Sequence, residues 1–136
     1  MKISILLPYK ENFSPEYPGA VSLFVYETTR ISKFKKNITV FGNTKFSKIF
    51  NLKYINIKIK KELLNSQTKS YVNDFIKLEK RFNSSIIEVH NRPSYVHIIN
   101  SKIKNKILTL YFHNDPLSMD GSKTIEQRKN LLKTCY

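Results

Sequence analysis

Short apolar runs and longer stretches of helical spacing take turns along this chain. Residues 2–7 form an apolar run closed by Pro8, the pattern of a strand buried on both faces. A loop rich in turn formers follows, with Asn12, Ser14, Pro15, Pro18 and Gly19. From Ala20 the spacing becomes helical: Ala20, Val21, Phe24, Thr28, Ile31 and Phe34 recur three or four apart and predict one apolar face. Lys33, Lys35 and Lys36 then stand in the expected last turn, where positive charge suits the helix dipole. Asn37 breaks the pattern, and residues 38–41 read as a second buried strand ending at Gly42. Residues 54–59 alternate like a third, more exposed strand, interrupted by Lys58 and Lys60.

Tyr71, Val72, Phe75, Ile76, Leu78 and Phe82 predict a second helix over residues 66–82, and residues 85–89 a fourth strand. Pro93 suits the first position of a third helix carrying Tyr95, Val96, Ile98 and Ile99. Residues 107–112 predict a fifth strand, and Ser122 is the expected N-cap of a last helix over residues 125–133. This alternation predicts an α/β fold, a three-layer sandwich around a mainly parallel sheet. The chain of 136 residues has the length of one domain, without internal repeat or linker. Its alternation stops after a helix, where another strand is expected, so it reads as one half of something longer.

Composition adds a charge question. Hydrophobic residues at 40% and charged residues at 25% fit an ordinary globular domain, yet the formal net charge is +14. Such an excess favours anionic partners: nucleic acid, phosphorylated ligands or an anionic membrane surface. Nearly all of it is lysine, with only Arg30, Arg81, Arg92 and Arg128 as arginines, in a background rich in Ile and Asn. That bias is also what an AT-rich genome writes on a tolerant surface, and nucleic-acid readers use more arginine. The lone Cys135 cannot form an internal disulfide. The apolar start is too short for a signal peptide, and no stretch approaches the ~20 apolar residues of a membrane span. A cytoplasmic location is the expectation.

In open parallel sheets ligands bind beyond the carboxyl ends of the strands. Two of the three histidines, His90 and His113, follow the fourth and fifth strands in His90-Asn91-Arg92-Pro93 and His113-Asn114-Asp115-Pro116. The topology therefore brings both to one edge, whereas His97 lies inside a helix and reads as structural. Gly19 stands where backbone N–H groups at a helix mouth can meet an anion. GxGxxG and GxxxxGK[ST] are both absent, which removes support for ordinary NAD and ATP chemistry. No GxSxG elbow follows a strand, and His90, His113 and Asp115 lack the paired spacing of a metal site, so no metal is expected. The run Lys58-Ile59-Lys60-Lys61 reads as a solvated edge.

Several segments together resemble a known family. They are the opening Lys2-Ile3-Ser4-Ile5-Leu6-Leu7-Pro8, the loop to Pro18-Gly19-Ala20-Val21, the segment Ile87-Glu88-Val89-His90-Asn91-Arg92-Pro93, and Tyr111-Phe112-His113-Asn114-Asp115-Pro116-Leu117 with Met119 to Ser122. In this order they look like the N-terminal domain of GT-B-fold glycosyltransferases of family 4. The resemblance implies a Rossmann-like half of a GT-B enzyme of hexosyltransferase type, metal-independent and without a cofactor. A UDP- or GDP-sugar would be the donor, and a sugar or lipid-linked molecule the acceptor, in cell-surface polysaccharide or glycolipid assembly. This half, residues 1–136, would contact the acceptor, and a C-terminal domain outside this sequence would hold most of the donor. This half alone is expected to be inactive.

Carried onto this sequence, His113 matches the histidine of the active-site cleft. Gly19 and Ala20 would lie beside the donor diphosphate, His90, Asn91 and Arg92 would line the acceptor side, and Asn114 and Asp115 would extend the site. The family often has two adjacent glycines where this chain has Pro18-Gly19-Ala20. Exposed lysines are expected to give weak contact with anionic lipid at the inner membrane face. The alternative is a stand-alone α/β module that docks on nucleic acid or another anionic partner; no recognition motif for specific nucleic acid is present.

Overall fold

Strands this apolar must be covered on both faces, and helices on either side of one sheet meet that demand. The computed structural model describes residues 1–59 and 66–135. Among them, β1 (Ile3–Leu6), β2 (Ile38–Gly42), β3 (Tyr54–Asn56), β4 (Ile86–His90) and β5 (Ile107–Tyr111) pair in parallel in the order β3-β2-β1-β4-β5. Helix α1 (Ala20–Ile31) covers one face, where Val21 and Val25 pack on Ile5, Leu7, Ile38 and Val40. Helices α2 (Gln67–Phe82), α3 (Pro93–Lys102) and α4 (Ile125–Thr134) cover the other, burying Leu6, Phe41, Ile87, Val89 and Leu108. The result is a Rossmann-like sandwich. Cys135 adds an isolated parallel bridge to Leu108 on the outer side of β5.

The chain steps outward from β1 to β2 and β3, then crosses back over β1 to β4. The switch in strand order therefore lies between the carboxyl ends of β1 and β4, where open sheets of this kind hold ligands. Tyr71 of α2 closes the floor beneath it, fully buried with its hydroxyl donating to the Leu7 carbonyl at 2.9 Å. Burial pushes that phenol well above its ordinary pKa, so it stays a donor.

Local structure departs from expectation at four points. The buried side of α1 is Val21, Ser22, Val25 and Thr29, whereas Ala20, Thr28 and Ile31 face solvent. The helix is rotated because Val21 and Val25 fit the β1–β2 surface, while Phe24, partly packed on the same core, reaches the rings at the ends of β4 and β5. Its last turn carries Arg30, and Lys35 and Lys36 form a separate 3-10 turn (Lys35–Asn37). The third strand stops at Asn56, although Ile57 still donates to the Gly42 carbonyl and is buried. Lys60 and Lys61 lie outside the described residues; Lys58 is exposed.

The cap of α4 is Thr124, in a reciprocal capping box with Gln127, not Ser122. Ser122 is buried and its hydroxyl instead holds the carbonyls of Pro116 and Met119. This closes the loop after β5. Gly121 takes φ +94° there, and a Cβ would stand 2.6 Å from the Ser94 nitrogen, so only glycine fits. His97 holds the Gly121 carbonyl at 3.1 Å, the structural part expected of it.

An acidic side chain is also buried at the amino end of the sheet. Glu79 of α2 is wholly inaccessible and accepts from Ser4 Oγ at 2.5 Å, Ser84 N at 2.7 Å and Ser84 Oγ at 2.6 Å. Each donor answers part of the desolvation cost of the carboxylate. Glu79 ties α2, β1 and the approach to β4 together.

Candidate active site at the carboxyl rim of the sheet

Period two along β4 puts Glu88 and His90 on one face of the strand, opposite Ile87 and Val89. That face looks toward α1, since Glu88 pairs in register with Ile5. His90 is 1% exposed, and its Nε2 lies 2.6 Å from Glu88 Oε1 while its Nδ1 lies 2.9 Å from His113 Nε2. Carboxylate, buried imidazole and partly buried imidazole thus form one line from β4 to the loop after β5. Both expected strand-end histidines meet at one rim.

The remaining walls are aromatic. The His90 and His113 rings lie 5.2 Å apart at 27° between planes, and His90 stacks on Tyr111 at 5.6 Å. Phe24 meets His113 edge-on at 4.9 Å and Tyr111 at 5.0 Å. These rings remove water from one side of the imidazoles. Burial therefore lowers the His113 pKa below its ordinary value; His90 adds to the effect, and Glu11 and Glu88 oppose it. This shift favours the neutral form of His113.

Asn91 locks the two loops together. It adopts a left-handed backbone, φ 54°, which asparagine tolerates better than most residues. Its nitrogen donates to the Tyr111 carbonyl at 2.8 Å, and its side-chain oxygen accepts from His113 N at 3.3 Å. Asn91 is buried and acts by holding the His113 backbone.

At the mouth of α1, Gly19 is the N-cap and Ala20 the first helical residue. The helix end already holds an anion: Glu11 Oε1 accepts from Ser22 N at 3.0 Å. A Cβ on Gly19 would stand 1.9 Å from that oxygen, so a side chain there would push the Glu11 carboxylate aside. A diphosphate seated here must displace Glu11, whose charge also acts on His113.

Other expected residues stand apart from the imidazole pair. Arg92 caps α3 and donates to the Asn91 carbonyl at 2.7 Å. It lines a separate cavity of about 370 Å³ with Tyr95, Ser118 and Asp120. Asn114 and Asp115 are exposed, and Asp115 accepts from Leu117 N at 2.9 Å to cap its own 3-10 turn (Pro116–Ser118). Among the described residues no three His, Cys, Asp or Glu side chains stand together as a metal-binding group.

Glu88, Glu11, Phe24 and Tyr111 join the rim without being among the expected site residues. Glu88 had a usable signal, because Glu-x-His within a strand always shares a face. Glu11 had none, since only the folded loop brings it over Gly19. Among the described residues no helix is long and apolar enough to cross a membrane. No family model, no curated protein and no solved structure matches this chain.

Proposed function

We propose that this domain is the acceptor-side half of a nucleotide-sugar-dependent glycosyltransferase acting in cell-surface polysaccharide or glycolipid assembly. The observation that carries the proposal is the contact of His90 and His113, 2.9 Å apart at the carboxyl rim beside the mouth of α1. Glycosyl transfer needs a group that accepts a proton or a hydrogen bond from a sugar or acceptor hydroxyl. A neutral imidazole held by a second one suits that need. The departing diphosphate needs positive potential, which the α1 N-terminus supplies once Glu11 moves aside. Exposed Tyr17, paired with Phe46 at 6.4 Å, adds aromatic surface for an acceptor in the loops after β1 and β2.

His113 is the proposed catalytic residue. Gly19 and Ala20 serve the donor diphosphate, and Asn91 positions His113. Arg92, Asn114 and Asp115 serve the outer acceptor side. The donor is a UDP- or GDP-sugar, and a C-terminal domain completes the cleft.

The test is sugar transfer or donor hydrolysis by the protein joined to that C-terminal domain, across UDP- and GDP-sugars. His113→Ala is expected to lower the rate about 100-fold, the usual worth of a positioned acid–base group. Full activity in that variant defeats the site assignment.

A further inference from the structure

With Glu88 ionised and His90 neutral, the hydrogen-bond line from Glu88 to His113 takes one direction. An ionised carboxylate only accepts, so the bond at 2.6 Å places a proton on His90 Nε2. A neutral imidazole carries one N–H, which leaves His90 Nδ1 as an acceptor. The contact at 2.9 Å must then be donated by His113 Nε2. His113 Nδ1 is left with a lone pair. It has no hydrogen-bond partner among the described residues, and it is not one of the enclosed unpaired atoms, so it is open to solvent.

We propose that Glu88 is a positioning residue that sets the proton pattern of both imidazoles, so that His113 presents a bare Nδ1 at the rim to a ligand hydroxyl. The ligand group is therefore a hydrogen-bond donor, and an anion or a bare carbonyl oxygen is disfavoured at this atom. Identifying that donor as a sugar hydroxyl rests on the transferase function proposed above; the proton pattern does not.

The same line also moves a proton inward. A hydroxyl proton passes to His113 Nδ1, and the O–H electron pair stays on the ligand oxygen. The His113 Nε2 proton passes to His90 Nδ1, and His90 keeps its Nε2 proton. The net result is an imidazolium at His90 beside the Glu88 carboxylate, with His113 neutral again. Positive charge then sits beside its counter-ion, 2.6 Å from the Glu88 carboxylate. The titratable groups facing His113 are Glu11 from the loop after β1, Glu88 and His90 of β4, and Tyr111 of β5. α1 contributes only the ring of Phe24.

The experiment is long-range nitrogen–proton NMR of the imidazoles in the ¹⁵N-labelled protein, with Glu88→Gln beside it. In the wild-type protein at neutral pH, both His90 and His113 are expected to carry their proton on Nε2. A His113 proton on Nδ1 overturns the proposal without needing any variant. In Glu88→Gln the His113 titration midpoint is expected to fall, with a loss of about threefold in proton affinity, because a raising charge is removed. An unchanged midpoint in a folded variant also overturns it. Either failure leaves the transfer assay free to succeed, and a failed transfer assay leaves the proton pattern intact.

Discussion

Two carboxyl groups at opposite ends of the sheet show how a closed hydrogen-bond network differs from an open one. Glu79, at the amino end, is wholly buried and accepts three hydrogen bonds from Ser4 and Ser84. Those donors are neutral and fixed, so the network begins and ends inside the protein. Glu88, toward the carboxyl end, has a side chain 34% exposed and binds an imidazole that can change its proton count. Its line runs outward through His90 to His113 and stops at an atom without a hydrogen-bond partner among the described residues. A closed network holds elements together. An open one leaves a lone pair for something else.

The comparison predicts unequal costs, and the largest belongs to Glu79. Glu79→Ala leaves the Ser4 hydroxyl and both Ser84 donors buried and unpaired, so urea unfolding is expected to show a loss of about 3 kcal/mol. A loss below about 1 kcal/mol would erase the distinction between the two carboxylates. Glu11→Ala comes next. It removes the carboxylate from the α1 N-terminus and is expected to lower stability by about 1 kcal/mol, as other lost caps do. The same variant frees the helix mouth, so binding of a nucleotide diphosphate, followed by calorimetry, is expected to strengthen.

Glu88→Gln follows, with an expected stability change of about 1 kcal/mol or less, because the amide still fits the partly exposed position. The smallest effect is one of pH. In the folded protein His113 takes up its proton at a lower pH than in the unfolded chain, where it titrates at its ordinary value. In the window between those two values the unfolded chain binds more protons, so stability falls as pH drops through it. Urea midpoints measured from neutral pH downward are expected to fall there, and His113→Asn is expected to flatten that part of the curve.

Much of this architecture was legible from spacing. Apolar runs closed by Pro8 and Gly42, and Pro93 at a helix start, mark elements whose local chemistry and tertiary packing agree. The meeting of His90 and His113 was legible too, because parallel topology carries every strand end to one rim. The rotation of α1 was not legible. Ile31 and Phe34 outweigh Val25 in size, but the β1–β2 surface takes Val21, Val25 and part of Phe24. Ile31 ends up 76% exposed, which no helical count anticipates. Glu11 and Glu79 were hidden for a related reason. A carboxylate reads as solvated surface until its donors, distant in sequence, are in place.

The central claim is that His90 and His113 work as one unit at this rim. The most direct measurement is a double-mutant cycle on sugar transfer by the protein joined to its proposed C-terminal domain, using His90→Asn, His113→Ala and the pair. Residues that share one proton path are strongly non-additive, so the double variant is expected to lose no more than His113→Ala alone. Losses that multiply independently, or transfer untouched by either change, would contradict it.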